Sequence, residues 1–281
     1  MPLIPLRTLP PRPTEKIEDA WIANLQAKLA DPHTDRVHLC RDLLLELAYP
    51  QYVGRYEEVM SDLRTPLGTQ LALAALDSRN VTLEPEHYGD CDQDAFQRVK
   101  PLLWLWYSFD RLPIGGQAVQ LGVKLRRALA PYIFKRVGKN FKCFQHVEFS
   151  FGYNMEVGDD VVVHRHVLLD DRGGIRLGNT VSISDYANIY SHTHSIVEQA
   201  DVTNALTVLG DGVRITYHAT VLAGVHVAEQ GMVGALAVAT KDVRPYHVNV
   251  GIPAKSVRVK PNAPPEGNRL RTSTDRAIDQ G

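Results

Sequence analysis

Apolar residues recur at every sixth position through the C-terminal half of the chain. The series starts at Phe151 and is interrupted by a two-residue slip and by one longer break. Its members are Phe151, Val157, Val163, Leu169, Leu177, Ile183, Ile189, Leu209, Ile215, Val221, Val227, Val233 and Ala239. Neither an α-helix nor an alternating strand has this period, whereas a prism-shaped coil with six residues per side places every sixth side chain at an inward corner. The pattern predicts a stacked β-helix.

A second apolar column accompanies the first. Many residues two positions before a repeat position are also small or apolar, among them Met155, Val161, Val181, Ala187, Val213, Ala219, Val225 and Ala237. Glycine often follows the repeat position, as at Gly158 and Gly178, which suits a turn where backbones pass closely. Stacked coils can bury such a column. A β-sandwich is the alternative, and the pattern favours it less because sandwich strands alternate with period two.

The preceding residues have a helical pattern. Thr14, Asp35 and Thr65 stand where helices would begin, and Pro66 follows the last of them. Beyond the repeat, the chain after Pro261 has almost no apolar residues. We therefore expect a helical N-terminal region over residues 1–136, a β-helix over residues 137–260 and a disordered tail over residues 261–281.

Residues 118–137 predict an amphipathic helix with a basic face. Its basic residues are Lys124, Arg126, Arg127, Lys135 and Arg136. Basic amphipathic helices can lie on membranes. The open ends of a solenoid need caps, however, and an apolar helix face can provide one. We expect this helix to pack on the end of the β-helix.

Charge and cysteine content argue against a nucleic-acid-binding protein and against a disulfide-stabilised one. The chain of 281 residues has 31 Lys and Arg against 32 Asp and Glu, which gives no electrostatic reason to expect a nucleic-acid partner. Cys40, Cys91 and Cys143 are too few and too widely spaced for a disulfide framework, and they suit a reducing compartment. The sequence shows neither a signal peptide nor a membrane-length apolar run. We expect a cytoplasmic protein.

Two His-x-His pairs stand out among the polar residues: His164 with His166, and His192 with His194. In an extended backbone, residues two apart point to the same side, so each pair could converge on a ligand. The six-residue period fails just after the second pair, over residues 195–208. A loop extruded from a rigid scaffold is a common location for functional residues. The second pair is therefore the stronger candidate for a functional site.

Two chemistries suit these histidines. A neutral imidazole can act as a general base on a hydroxyl group, because its ordinary pKa of about 6.5 is close to working pH. Histidines from adjacent coils or subunits can also bind zinc, which would require three ligands and an open position. Nothing in the spacing requires a metal, and we predict none.

Three segments resemble a known family. They are IYSHTHS (Ile189–Ser195), FGYNMEVG (Phe151–Gly158) and VGALAVATKDVRPYHVNVGIPAKSVR (Val233–Arg258). They are similar to segments of the hexapeptide-repeat acyltransferases, in particular of the maltose, galactoside and nodulation-type sugar O-acetyltransferase branch. The resemblance spans residues of about 137–260. It implies a mainly β fold: a left-handed parallel β-helix, here with an α-helical N-terminal region. It also implies a trimer with active sites between neighbouring subunits.

The resemblance also implies an activity and its residues. The expected reaction is acetyl transfer from acetyl-CoA to a sugar or glycoside hydroxyl, with His194 as the catalytic base. The residues expected to contact the acceptor are His164, His166, Asp170 and His192, because the family's usual Asn is missing from this coil. The residues expected to contact acetyl-CoA are Tyr217, Ala235, Thr240, Lys241, Lys255 and Arg258.

Two other functions stay open at this point. A catalytically silent β-helix could act as a scaffold and use its N-terminal helices for docking. A zinc lyase of the carbonic anhydrase type is a further alternative on the same fold. It usually needs two histidines five residues apart within the solenoid, and the repeat region lacks that spacing.

Overall fold

The computed structural model describes residues 12–198 and 200–265. Helices come first: α1 (Glu15–Ala30), α2 (Arg36–Ala48), α3 (Tyr56–Ser61), α4 (Leu67–Ala74), α5 (Gln93–Arg111), α6 (Pro113–Gln117) and α7 (Val119–Ile133). Short 3₁₀ turns lie at Pro50–Tyr52, Ser78–Asn80 and Pro85–Gly89. Most of the tail that we expect to be disordered, residues 266–281, lies outside the described residues.

The helix starts follow the sequence prediction with one difference in detail. The side chain of Asp35 accepts hydrogen bonds from the backbone N–H groups of Val37 (2.8 Å) and His38 (3.3 Å), which caps α2. Thr14 precedes α1 but does not cap it, since its own backbone is helical and its hydroxyl bonds to the Glu18 side chain. The fourth helix begins directly after Pro66.

Strands of two to five residues then wind into a solenoid with three faces. Sheet A contains β1 (Arg136–Val137), β4 (Met155–Val157), β7 (Ile175–Leu177), β12 (Thr207–Leu209) and β15 (His226–Val227). Sheet B contains β2 (Lys142–Cys143), β5 (Val162–Val163), β8 (Ser182–Ile183), β13 (Arg214–Ile215), β16 (Met232–Val233), β18 (His247–Val250) and β19 (Lys255–Val259). Sheet C contains β3 (Glu148–Phe149), β6 (Leu168–Asp170), β9 (Asn188–Tyr190), β14 (Thr220–Val221) and β17 (Val238–Ala239).

These sheets form the β-helix that the period of six predicts, and it is parallel and left-handed, as the family resemblance implies. Equivalent strands of successive coils pair in parallel, and at the end of sheet B the strand β19 runs antiparallel to β18. The repeat residues are buried, but most of them lie at the ends of the flat strands and do not occupy the corners that we expected. Several corners instead contain residues with positive φ, such as Asp160 (57°) and His166 (57°), because the chain turns sharply there.

One corner carries a stack of aromatic rings. His146, His166, Tyr186 and His218 occupy equivalent positive-φ positions between sheets B and C in successive coils. Their ring centroids are separated by 4.7 Å, 4.8 Å and 4.8 Å along the series. This spacing equals the distance between hydrogen-bonded strands, so each ring lies on the ring of the coil below.

The helical region packs on the first coil, as the amphipathic pattern predicts. Trp106 of α5 donates from Nε1 to the backbone carbonyl of Val147 (3.2 Å), and the neighbouring Tyr107 donates from its hydroxyl to the carbonyl of Phe149 (3.2 Å). Buried side chains of α5 and α7 belong to the same apolar cluster as the interior of the solenoid. The helices thereby cover the open N-terminal end of the β-helix.

Two basic residues of α7, Arg126 and Arg127, bond to the first coil of the solenoid. Arg126 is buried, pairs with the buried Asp110 and donates to the Cys143 carbonyl (3.3 Å). Arg127 donates to the carbonyl of Phe141 (2.9 Å). These contacts favour the capping role over a membrane-binding role. Within residues 12–198 and 200–265, no helix combines the length and the apolar content needed to cross a bilayer.

Candidate active site

The break in the repeat is an antiparallel β-hairpin. Its strands are β10 (His192–His194) and β11 (Val202–Asn204), with His192 opposite Asn204. Residues 195–208, which we expected to form a loop, therefore contain the tip and the returning strand. Because β10 is extended, its two histidines lie on the same side, with ring centroids 5.3 Å apart. The two rings lie together as the extended spacing predicts, and a shared ligand stays a prediction.

Asp170 lies beneath His192 at the end of β6. One carboxylate oxygen of this buried residue accepts a hydrogen bond from Nδ1 of His192 and also one from the Ser191 backbone N–H (3.2 Å). The other oxygen accepts from the Ser150 hydroxyl (2.5 Å). Since a carboxylate only accepts, the neutral form of His192 carries its proton on Nδ1 and has its lone pair on Nε2.

The N-terminal region supplies a carboxylate to the second histidine. Glu86, from the 3₁₀ turn after α4, places Oε1 3.4 Å from Nε2 of His194. The same oxygen accepts a hydrogen bond of 2.5 Å from Nη1 of Arg172, whose Nε donates to Asp90 (2.7 Å). Arg172 follows β6 and its side chain is 1% exposed. This guanidinium ties the helical region to the coil that carries Asp170.

The acidic residues around Arg172 are held in their ionised form. The hydrogen bond from Arg172 lowers the pKa of Glu86 below its usual range. Burial raises the pKa of Asp90, but hydrogen bonds from Arg172 and Asn204 outweigh that effect and the net shift is downward. Both carboxylates are therefore negatively charged at neutral pH.

A groove of about 400 Å³ opens beside the two histidines. Its wall is formed by Tyr190, His192, Thr193, His194, Leu222, Ala223 and Thr240. Thr240 follows β17 and lies at the same corner of the solenoid as the hairpin, between sheets C and A. The structure thus brings Asp170, His192, His194 and Thr240 together, and Lys241 is next to Thr240 in the chain.

Other residues expected in the site lie elsewhere on the chain. Tyr217 and Ala235 are at the corner between sheets B and C, and Lys255 and Arg258 are on the last strand, β19. A single chain therefore divides the expected acetyl-CoA contacts among different parts of its surface.

His164 and His166 do not converge in the way we expected for an extended pair. His166 has a left-handed φ of 57°, so the two side chains separate. The ring of His164 stacks on Phe144, with 5.1 Å between centroids, while the ring of His166 belongs to the aromatic stack. Both residues lie at the corner between sheets B and C, where they do not join His192 and His194 of the same chain.

Sequence reasoning missed Glu86, Asp90 and Arg172. The first two lie in the region that the family resemblance does not cover, and more than 80 positions separate them from Arg172 in the chain. No periodicity or motif links such distant residues. Glu86, together with His192 and His194, also forms a group whose ligand atoms could hold a metal ion.

A second cavity of about 450 Å³ lies among α1, α2 and α7. Its lining is mainly apolar and includes Ile17, Trp21 and Leu47, together with the ion pair between Arg12 and Glu18. It contains none of the histidines discussed above. The groove beside the hairpin is therefore the better candidate for an active site.

Comparison with known proteins indicates which proteins the chain is similar to. No family model matches the chain. Galactoside O-acetyltransferase of Escherichia coli is 25% identical over 140 residues, which are 48% of this chain and 69% of that protein. A maltose O-acetyltransferase of Clostridium difficile superposes with a TM-score of 0.52 at 22% identity, over 60% of this chain and 89% of that one.

A second solved structure has the same fold. It is a hexapeptide-repeat acetyltransferase from Vibrio cholerae complexed with acetyl coenzyme A, with a TM-score of 0.51 and 20% identity. The match spans 59% of this chain and 87% of that structure. The repeat and the left-handed coil agree with the sequence motifs, and the chain is similar in sequence and fold to hexapeptide-repeat acyltransferases.

Proposed function

We propose that the protein transfers an acetyl group from acetyl-CoA to a hydroxyl group of a sugar or glycoside, with His194 as the general base. The observation that carries this proposal is the pair of histidines on the hairpin, facing a groove and flanked by the carboxylates of Asp170 and Glu86. The relatives named as galactoside and maltose O-acetyltransferases support the acceptor class.

His194 takes the proton from the acceptor hydroxyl as that oxygen attacks the thioester carbonyl. A C–O bond forms, the carbonyl becomes a tetrahedral oxyanion, and its collapse breaks the C–S bond and releases the thiolate of coenzyme A. The imidazolium then returns the proton to the thiolate. Glu86, 3.4 Å from Nε2 of His194, stabilises the positive charge that the ring acquires. A positioned base of this kind contributes about 10² to 10⁴ in rate.

His192 acts beside it as a binding residue. Asp170 fixes its ring and leaves Nε2 able to accept a hydrogen bond from a second hydroxyl of the acceptor. A sugar offers adjacent hydroxyl groups, so two neighbouring imidazoles suit it well. This arrangement gives Asp170 an indirect role: it orients His192 and does not itself contact the acceptor.

The donor is proposed to lie along the groove. Thr240 and Lys241 extend from the histidine corner, and Lys255 and Arg258 supply cations suited to the phosphates of coenzyme A. Tyr217 and Ala235 lie at another corner of the same chain. A neighbouring copy would have to present that corner to the groove, which supports the expected homotrimer with active sites between subunits.

A transferase assay on purified protein tests the proposal. Coenzyme A release and acetylated product are measured with acetyl-CoA and a panel of sugars, glycosides and amines. We expect activity on at least one hydroxyl acceptor and a loss of about 10² to 10⁴ in kcat for His194→Ala. The exposed His226 on β15 provides a matched control, and His226→Ala should keep full activity.

Two results would contradict the proposal. Undiminished turnover by His194→Ala together with a large loss in His192→Ala would transfer the base role to His192. The absence of both acetyl-CoA binding and transfer to every acceptor would favour the catalytically silent scaffold. Light scattering on the same samples measures the oligomeric state, and a monomer with full activity would reject the shared active site.

A further inference from the structure

We propose that Glu86, His192 and His194 form a binding site for one divalent transition-metal ion, best matched by Zn²⁺, and that the bound ion blocks acetyl transfer. The metal site is independent of the enzymatic assignment. The inhibition rests on the proposed function, because it requires His194 to be the base.

The ligand atoms are already close together. One atom from each of the three residues lies within 4.8 Å of the others. Nε2 of His194 and Oε1 of Glu86 are 3.4 Å apart. Bonds of about 2.0–2.2 Å to a tetrahedral Zn²⁺ ion separate neighbouring ligand atoms by about 3.4 Å, so this pair already has the required spacing. The Glu86 side chain is 48% exposed and has the freedom to adjust toward the third ligand.

Asp170 prepares His192 for coordination. Its carboxylate accepts the hydrogen bond from Nδ1 of His192, which leaves Nε2 as the ligand atom. Metal-binding histidines usually donate their second N–H to a carboxylate in this manner, because the bond fixes the tautomer and increases the basicity of the ring. Asp170 is itself buried and held by Ser150 and Ser191. The outer support of a metal site therefore exists before any ion binds.

The charge of the cluster also favours a divalent cation. The cluster contains three carboxylates (Glu86, Asp90 and Asp170) and one guanidinium (Arg172). Its net charge is therefore minus two when the histidines are neutral. Arg172 contacts one oxygen of Glu86 at 2.5 Å, but Asp90 holds the same guanidinium through Nε and Nη2. Arg172 can thus stay bound to Asp90 while Glu86 turns an oxygen toward the ion.

The ligand set indicates a reversible site. It has two imidazoles and one carboxylate, which is the composition of open zinc sites with a remaining position for water, and it lacks the four ligands of a structural site. All three ligands are partly exposed. Coordination of Zn²⁺ by Nε2 of His194 would place a divalent cation on the imidazole and so oppose the protonation that the proposed mechanism requires of this ring. Zn²⁺ should therefore inhibit without unfolding the protein.

Titration of chelator-treated protein with ZnCl₂ alone, followed by calorimetry, tests the site. We expect one Zn²⁺ per chain. Glu86→Gln, His192→Gln and His194→Gln should each weaken binding at least tenfold, and Asp170→Asn, through loss of the outer support, about 10- to 100-fold. The exposed Glu84 and His226 allow matched controls, and Glu84→Gln and His226→Gln should bind like the unaltered protein. Circular dichroism of every variant verifies folding.

The two proposals fail in different ways. No binding of Zn²⁺, or unchanged binding in all three ligand variants, would overturn the metal site whatever the activity. Binding that depends on the ligands in a protein without transferase activity would leave the site intact and reject the proposed function. If both hold, Zn²⁺ should suppress formation of acetylated product over its binding range, with recovery on addition of a chelator. Mass spectrometry of the product avoids interference from zinc bound to the coenzyme A thiol.

Discussion

Nδ1 of His192 donates a hydrogen bond to Oδ2 of Asp170, which lies one coil earlier at the same corner of the solenoid. This bond crosses between stacked coils, so the position of the imidazole depends on the stacking of the scaffold. The hairpin alone would leave the ring free to rotate.

The substitution Asp170→Asn tests this dependence. An amide keeps an acceptor but removes the charge, and its N–H₂ group competes for the place of the accepting oxygens. We expect kcat to fall about 10- to 100-fold, as is typical when the partner of a functional histidine is removed. The exposed Asp160→Asn is the matched control and should leave kcat unchanged. An unaltered kcat in the Asp170 variant, with folding verified, would contradict the orienting role.

We expect Asp171, the residue after Asp170, to make the stability of the protein depend on pH. Its buried carboxylate accepts hydrogen bonds from the backbone N–H groups of Phe151 (2.7 Å) and Asn154 (3.1 Å), yet burial raises its pKa from 3.8 to about 6. The folded protein therefore binds this proton more tightly than the unfolded chain does. Between pH 4 and 6 its contribution to stability falls as pH rises, by about 3 kcal/mol in total.

Urea unfolding of the unaltered protein and of Asp171→Asn at several pH values measures this effect. Asparagine cannot titrate and directs an N–H₂ group at a backbone donor, so the variant should be less stable at every pH. The difference in unfolding free energy between the two proteins should shrink as pH rises from 4 to 6. A difference that stays constant over this range would reject the raised pKa.

We expect the protein to lose much of its stability when the buried ion pair between Arg126 and Asp110 is broken. Asp110 also accepts a hydrogen bond from the backbone N–H of His146 (2.7 Å). Arg126→Met leaves this carboxylate buried without its cation, and we expect a loss of about 3–5 kcal/mol in unfolding free energy. Arg127→Met, at an exposed neighbour, should cost about 1 kcal/mol because it removes a single hydrogen bond. Equal losses in denaturant unfolding of the two variants would contradict this account.

Gly158 lies where two successive coils pass too closely for a larger side chain. A Cβ atom built on Gly158 would lie 2.7 Å from the backbone carbon and oxygen of Gly178 in the next coil. Gly158→Ala should therefore destabilise the protein by about 1–3 kcal/mol, as overpacking typically does. Gly68→Ala is the control, because the space around that helical glycine is open. It should be neutral or stabilise by up to about 1 kcal/mol in thermal unfolding. Similar effects at both positions would indicate that stacking does not limit residue size.

The sequence was sufficient to predict a β-helix because the repeat is a local pattern that suits a stacked prism better than a sandwich. Residues such as Val163 and Ile183 recur at the period of a prism and are buried, as predicted. The same locality places His192 and His194 on one side of a strand. The positions of the repeat residues within each coil differed from our expectation, since corners require positive φ, which apolar periodicity does not report.

The remainder of the candidate site depends on tertiary contacts. Glu86 reaches His194 only because the helical region folds back along the solenoid, and Arg172 joins the two by bonds to both Glu86 and Asp90. Charged residues of this kind have no periodicity of their own. Their roles follow from distances in the folded chain, which the sequence does not encode in any short segment.

The hairpin of β10 and β11 leaves and re-enters the solenoid without disturbing the coils on either side. Leu168 pairs with Asn188 across 20 residues, Asn188 with Thr220 across 32, and Thr220 with Val238 across 18. The extra length is absorbed at one corner, and the strand register continues. The hairpin is thus a modular insert, and hairpins of other lengths and compositions could replace it. If it contacts the acceptor as proposed, acceptor preference could change in evolution while the β-helix stays the same.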